Sequence, residues 1–286
     1  MRQILSAENK KFEIPISAKL FYVLMFGFTE QNFLGQPLIP LCLSVVPKRY
    51  KRNLALTFLG MSPHYFIYQW SNKYPSAMSH KDRLEAEHQR MLASRKKICE
   101  QILLPYLNPQ MTVLDFGCGP GYLAQEVSKY VKKVLAVDIS CGVIACAKEL
   151  CNSENIFYYT NEGRSLSSLF SNINLVYTFA TVQHLSEELF ELVLREIFRI
   201  LKPQGKVLCH VALIDACHNG LAYAKTTIFK RFQKRFALRM ISRTLDDVKL
   251  RIKRSGFNDP VIMPLKQICD IEDDIGRQHI FIFSKP

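Results

Sequence analysis

Asp115, Gly117, Gly119 and Gly121 alternate through the run Asp115-Phe116-Gly117-Cys118-Gly119-Pro120-Gly121. Glycine permits backbone angles that a side chain forbids, and it lets a ligand lie directly against the main chain. The spacing separates the candidate ligands. A dinucleotide fingerprint needs a third glycine where this chain has Tyr122. No Lys-Ser pair follows, so the run is not a phosphate-cradling loop either. A carboxylate two residues before the first glycine suits a ligand bearing positive charge better than one bearing a pyrophosphate. A second carboxylate, Asp138, closes the next apolar run in Val137-Asp138-Ile139-Ser140.

These residues sit where strands give way to helices. Met111 to Phe116 and Lys133 to Ile139 are short apolar runs rich in strand formers, and each is followed by a helical stretch, Tyr122 to Tyr130 and Gly142 to Cys151. Further strands are expected at Ile156 to Thr160, Ile173 to Phe179 and Lys206 to Leu213. Between the last two, Ser186 caps a long helix with Glu187 and Glu188 in its first turn, ending near Leu201 before Lys202-Pro203-Gln204-Gly205. Thr244 caps another helix, with Asp246 and Asp247 at its start, Lys253 and Arg254 at its end, and Gly256 as the stop. Val261 to Leu265 and His279 to Phe283 complete the strands. Strands alternating with helices mean a mainly parallel sheet covered on both faces, with ligands bound beyond the carboxyl ends of the strands. Ahead of this unit the chain reads as helical and irregular. One clear helix spans His80 to Tyr106, with Leu84, Met91, Ile98 and Ile102 at helical spacing and Pro105 and Pro109 closing it. The expected division is an N-terminal extension at 1–79 and a catalytic domain at 80–286.

Val113-Leu114-Asp115-Phe116-Gly117-Cys118-Gly119-Pro120-Gly121 resembles the first motif of class I S-adenosylmethionine-dependent methyltransferases. The resemblance covers Met111 to about Leu213 well and Leu245 to Phe257 more loosely. It implies a Rossmann-like, seven-stranded, mainly parallel sheet with its last strand antiparallel, and S-adenosylmethionine as cofactor. Asp138 matches the acidic residue that takes the ribose hydroxyls, and two acceptor oxygens facing a cis-diol make chemical sense of it. In Asn161-Glu162-Gly163-Arg164-Ser165-Leu166, Glu162 has the spacing of the residue that contacts the adenine amino group. The implied cofactor site comprises Asp115, Gly117, Cys118, Gly119, Gly121, Asp138, Ile139, Glu162, Gly163 and Phe179. Asn174 departs from the family, most members of which carry aspartate there. The plainer rivals are Asp138 as a helix cap, turn glycines, and Cys118 as a small filler.

Methyl transfer is an in-line displacement at a carbon activated by the sulfonium, so alignment matters most. A general base helps only where the acceptor must lose a proton. His184, after the fourth strand, is the candidate, ahead of Asp215 and His218 after the fifth. Thr178-Phe179-Ala180-Thr181 lacks the Pro-Pro turn of the amino methyltransferases that act on adenine, cytosine or glutamine. Neither the Pro-Cys pair of cytosine-C5 enzymes nor the paired-glutamate loop of arginine methyltransferases is present. What remains is methylation of a small-molecule or lipid-like acceptor at oxygen, nitrogen or carbon.

The formal charge of +13 over 286 residues suits an anionic partner: nucleic acid, phospholipid or an acidic small molecule. From Ala216 to Arg243 there is no acidic residue. Lys225, Lys230, Arg231, Lys234, Arg235, Arg239 and Arg243 lie there, and Phe229, Phe232, Phe236 and Met240 recur at helical spacing. A basic amphipathic helix is expected, receiving an anionic or amphipathic acceptor or touching a membrane surface. The apolar stretch Leu20 to Val46 is interrupted by Glu30, Gln31, Asn32, Gln36, Pro37 and Pro40, too often for a span of ~20 apolar residues. Lys48-Arg49-Tyr50-Lys51-Arg52 follows it. Helices packed on the catalytic domain are expected, with attachment to an anionic membrane surface as the other reading. The N-terminus does not read as a secretory signal, and nine cysteines without a CxxC pair read as free thiols of a reducing cytoplasm. Two other functions compete. An RNA methyltransferase fits the charge, but no recognisable RNA-binding module accompanies the domain. A protein that binds the cofactor without catalysis fits the lack of an assignable base.

Overall fold

The computed structural model describes residues 38–61, 74–75, 77–161, 165–166, 170–213, 241, 243–269 and 278–286. Glu162, Gly163, Asp215, His218 and the basic insert other than Ile241 and Arg243 lie outside these residues, as does most of the Leu20 to Val46 stretch.

Among the described residues two helices come first, α1 (Leu38–Val45) and α2 (Lys48–Met61), followed by α3 (His80–Ile98). Then come β1 (Thr112–Phe116), α4 (Tyr122–Val127), β2 (Lys133–Asp138), α5 (Cys141–Leu150), β3 (Ile156–Thr160) and β4 (Ile173–Thr178). The chain continues with α6 (Glu187–Ile200), β5 (Leu201–Ala212), α7 (Leu245–Arg254), β6 (Val261–Pro264), α8 (Leu265–Ile268) and β7 (Gln278–Ser284). Among the described residues the sheet has seven strands in the order β3-β2-β1-β4-β5-β7-β6. The first five are mutually parallel, and β7 runs antiparallel to both β5 and β6. Strand order reverses between β1 and β4, which places the crevice for a ligand over the carboxyl end of β1.

Side chains alternate across β1. Leu114 and Phe116 join the core under α6 and α7, with Phe190, Leu194, Val248 and Ile252. Val113 joins the opposite core, with Ile98, Ile102, Leu123 and Val127. A third cluster seats Ile39 and Leu43 of α1 and Ala55, Phe58 and Leu59 of α2 against Met91, Tyr122, Cys146 and Cys151. The two N-terminal helices therefore lie on α4 and α5, the helices that begin at the two carboxylate-bearing loops. Arg52 adds a two-pronged bond to Glu85 of α3 at 2.9 and 3.0 Å, which holds the Glu85 carboxyl down at about 2.

The expected caps are present: Ser186 accepts from the Leu189 amide and Thr244 from the Asp247 amide. Two boundaries differ most from expectation. The helix read to Tyr106 ends as α-helix at Ile98 and unwinds through a π-turn (Cys99–Leu103) into a 3-10 turn (Leu104–Tyr106). Pro105 has no amide hydrogen and its ring displaces the carbonyl four residues back, so the ladder opens before it. Strand β5 starts at Leu201, five residues earlier than Lys206, because Leu201 pairs with Ile173 and a register shift absorbs the Lys202–Gly205 turn.

Arg243 departs from the expectation that the cations of the insert face an anionic acceptor or a membrane surface. Its side chain is buried, donating to the Val182 and Leu185 carbonyls at 3.0 and 2.6 Å, and its guanidinium lies 4.7 Å from the Phe190 ring centroid. Glu187 is its ion-pair partner at 3.4 Å, and burial pulls the guanidinium pKa below its ordinary value. It ties the end of the insert to the turn after β4. Replacing Arg243 with methionine would leave two carbonyls unpaired and is expected to lower the unfolding free energy by about 3 kcal/mol in urea titrations.

Candidate cofactor site

The loop after β1 is held by β2. The Gly117 and Cys118 amides both donate to the Val137 carbonyl, at 2.8 and 2.9 Å, and the Gly121 amide closes a turn onto the Cys118 carbonyl at 3.0 Å. Gly117, Gly119 and Gly121 all have positive φ, at 75°, 53° and 81°. Their surroundings assign them different duties. A side chain on Gly117 would collide with Thr181, and one on Gly121 with the Tyr158 hydroxyl, which donates to the Cys151 carbonyl at 2.7 Å. At Gly119 a Cβ would meet no atom of the described residues within 4 Å. Gly117 and Gly121 serve internal packing, whereas Gly119 faces open space that a ligand can fill. Gly119→Ala is therefore expected to keep the fold, with a strain penalty of roughly 1 kcal/mol, while losing cofactor affinity. Gly121→Ala is expected to lower stability by roughly 3 kcal/mol. Urea unfolding alongside calorimetric titration separates the two effects.

Asp138 clamps this loop from β2. One carboxylate oxygen accepts from the Gly119 amide and the other from the Ser140 amide, both at 3.0 Å. Ser140 in turn caps α5 by accepting from the Val143 amide. Asp138 is thus shared between the glycine loop and the start of α5, and each oxygen retains a lone pair for a further donor. Burial pushes its carboxyl pKa up, opposed by the Ser140 and Gly119 amides. Ile139 follows, half-buried, in the same loop.

Asp115 lies beneath. It is buried, and Oδ2 has no hydrogen-bond partner among the described residues. Its register partner across β1 and β4 is Tyr177, whose buried hydroxyl is also without one there. Burial drives the Asp115 carboxyl up to about 8, the nearby Tyr177 hydroxyl pulls it down, Asp138 raises it and Arg95 of α3 lowers it. An acid left neutral by burial, with an orphaned oxygen beside an open backbone cradle, is suited to a cationic ligand. An ammonium group would restore its charge and supply the missing partner. The donor set would fit S-adenosylmethionine, with Asp115 to meet the ammonium end, Gly119 to allow the backbone approach and Asp138 to meet the ribose diol.

The turn after β4 forms the opposite wall. Ala180 has φ of 56°, a conformation uncommon outside glycine. His210 of β5 accounts for it. Its Nδ1 accepts from the Ala180 amide at 3.0 Å, its Nε2 donates to Gln278 Oε1, and its ring stacks on Phe179 with centroids 5.4 Å apart. Two partners therefore fix its tautomer. The Thr181 hydroxyl shares its one hydrogen between the Gly117 and Phe179 carbonyls, at 3.2 and 3.1 Å, joining this wall to the glycine loop. His184 sits half-buried at the end of the 3-10 turn Val182–His184, on the same carboxyl edge of the sheet. Cys118 is buried and its thiol pKa is pushed well up by burial, which suits a filler and not a nucleophile.

The structure thus brings Asp115, Gly117, Cys118, Gly119, Gly121, Asp138, Ile139 and Phe179 to one edge, with His184 nearby. Sequence reasoning missed Tyr177, Thr181, His210 and Gln278. Tyr177 was findable as the residue facing Asp115 once strand order was known. A lone histidine within a strand and a glutamine near the chain end carry no motif.

Topology and site together give the arrangement implied by the resemblance to class I S-adenosylmethionine-dependent methyltransferases: a seven-stranded sheet with a crevice over the carboxyl end of β1. Residues 113–205 match the family described as "Methyltransferase domain". The cyclopropane-fatty-acyl-phospholipid synthase of Escherichia coli (strain K12) is 34% identical over 130 residues, 45% of this chain and 32% of that protein. The malonyl-[acyl-carrier protein] O-methyltransferase of Priestia megaterium is 27% identical over 114 residues, 39% of this chain and 40% of its own length. The chain thus spans well under half the length of these relatives. Human N-acetylserotonin methyltransferase, solved in complex with S-adenosylmethionine, shares the fold at a TM-score of 0.50 and 15% identity, covering 81% of this chain and 70% of that one.

Proposed function

We propose that this protein transfers the methyl group of S-adenosylmethionine to a small-molecule or lipid-like acceptor of anionic or amphipathic character. The observation that carries the reading is the Asp138 clamp on an open Gly119, beside a buried Asp115 oxygen without a partner among the described residues. When bound, the cofactor supplies a methyl carbon activated by a sulfonium. The chain's own work is to hold, orient and exclude water: Asp115 and Asp138 grip the two ends, and the Phe179–His210 stack forms an apolar wall at the reacting edge. Alignment of this kind supplies ~7–11 kcal/mol of barrier reduction. The acceptor class is supported by the names of the relatives, one a cyclopropane-fatty-acyl-phospholipid synthase and one a malonyl-[acyl-carrier protein] O-methyltransferase. Among the described residues no helix is long and apolar enough to cross a membrane, and a cytoplasmic, membrane-peripheral placement belongs to the same reading.

Incubation with methyl-labelled S-adenosylmethionine and a lipid extract tests it. Label is expected in the organic phase. Tight cofactor binding without transfer to any acceptor would favour a non-catalytic cofactor-binding protein. For the general base, His184→Asn is expected to lower kcat about 100-fold or more with cofactor affinity unchanged. Unchanged kcat would remove His184 from the chemistry.

A further inference from the structure

The corner where α1 meets α2 carries apolar and cationic groups that the fold does not use. On α1, Ile39 and Leu43 face inward, while Leu41 and Val45, one helical turn apart, are 58% and 73% exposed. Pro47 and Tyr50 continue the exposed apolar surface, and the Arg49 guanidinium lies 4.7 Å from the Tyr50 ring centroid. The cations divide into two pairs. Lys51 and Arg52 reach carboxylates of the domain, Glu149 at 3.8 Å and Glu85 at 2.9 Å. Lys48 and Arg49 stand exposed and enter no ion pair among the described residues.

Two features argue against ordinary solvated surface. Lys48, Arg49, Lys51 and Arg52 occupy the first turns of α2, the end of a helix dipole where positive charge is unfavourable. Helix stability alone would place acidic residues there. The chain also has no Asp or Glu from position 31 to position 81, so nothing in this stretch neutralises the patch. Apolar side chains projecting beside unpaired cations match a bilayer with anionic headgroups: the cations meet the phosphates and the apolar groups enter the acyl boundary.

We infer that the α1–α2 corner, built from Leu41, Val45, Lys48, Arg49 and Tyr50, docks the protein on an anionic membrane surface. The inference deepens the proposed amphipathic acceptor, because this helical pair rests on α4 and α5, which begin at the cofactor loops. It does not depend on turnover.

Co-sedimentation of the full chain with phosphatidylcholine vesicles, with and without phosphatidylglycerol, tests it. Binding is expected only with the anionic lipid and is expected to weaken as salt rises. Lys48→Gln with Arg49→Gln is expected to lower partitioning roughly 30-fold. Leu41→Ser with Val45→Ser is expected to lower it about tenfold or more. These positions are exposed, so both double variants should still bind S-adenosylhomocysteine like the parent, which reports that they are folded. Failure of the parent to bind vesicles while it binds the cofactor analogue would overturn the docking inference and leave the proposed function standing. Parent-like binding by both double variants would place the membrane seat elsewhere and overturn it too. Sensitivity to the cation pair but not the apolar pair would make the corner a general polyanion patch, RNA included, and overturn the bilayer assignment.

Discussion

Asp138→Ala is expected to weaken S-adenosylmethionine binding by two to four orders of magnitude. The carboxylate holds the Gly119 amide and the Ser140 amide at 3.0 Å each, and the ribose diol would add to these. Hydrogen bonds to a charged group contribute about 1.5–3 kcal/mol each, so loss of two or more gives on the order of 3–6 kcal/mol. Asparagine is not a mild replacement here. Both oxygens accept from backbone amides, so the side-chain amide that Asp138→Asn introduces would set one donor against another. Asp138→Asn should therefore fall nearer to Asp138→Ala than to the parent. Calorimetric titration measures all three, and parent-like affinity in Asp138→Ala would mean that Asp138 does no more than brace the glycine loop against the start of α5.

Asp115 gives the second large effect, as a dependence on pH. Its folded-state pKa of about 8 is raised above the ordinary carboxylate value near 3.9 by burial. The sign follows. Below about pH 4 the carboxyl is neutral in both the folded and the unfolded chain. Between there and about pH 8 only the unfolded chain gives up its proton, so the stability of the cofactor-free protein falls as pH rises through that window. The loss is on the order of 5 kcal/mol, and the raised pKa of Asp138 acts in the same direction. Asp115→Asn is expected to flatten the dependence and to stabilise the cofactor-free protein at pH 8. The same variant should bind S-adenosylmethionine weakly. A cationic ligand draws the carboxyl back toward ionisation, so binding to the parent at pH 7 should release close to one proton, and binding to Asp115→Asn close to none. Urea midpoints across pH and titrations in buffers of different ionisation heat measure both. An unchanged pH profile in Asp115→Asn would show that the carboxyl is charged without the cofactor.

Much of this was legible because it is local. The alternation of apolar strands and capped helices, the helix starts at Ser186 and Thr244, and the carboxylate-glycine run all depend on neighbours within a few positions. The resemblance then supplied the number of strands and the antiparallel last strand, which no local pattern contains; the strand order came from the structure. What escaped depends on contacts distant in sequence. That Gly117 makes room for Thr181 and Gly121 for Tyr158, while Gly119 alone of the three faces open space, follows from how β4 and β3 lie against the loop. His210 braces the strained Ala180 only because β5 lies beside β4 and β7 brings in Gln278. Arg243 looked like one cation among seven until the chain end of the insert was seen returning beneath the β4 turn. The unwinding of α3 was half legible, since Pro105 was read as a stop but the π-turn before it was not.

The most direct test of the central claim is titration of the full chain with S-adenosylhomocysteine at neutral pH, with Asp138→Ala beside it. The expected result is one site of micromolar affinity in the parent, lost in the variant while its unfolding transition stays cooperative. A parent that is folded and cooperative yet takes up neither S-adenosylhomocysteine nor S-adenosylmethionine would contradict the assignment of this crevice as a cofactor site.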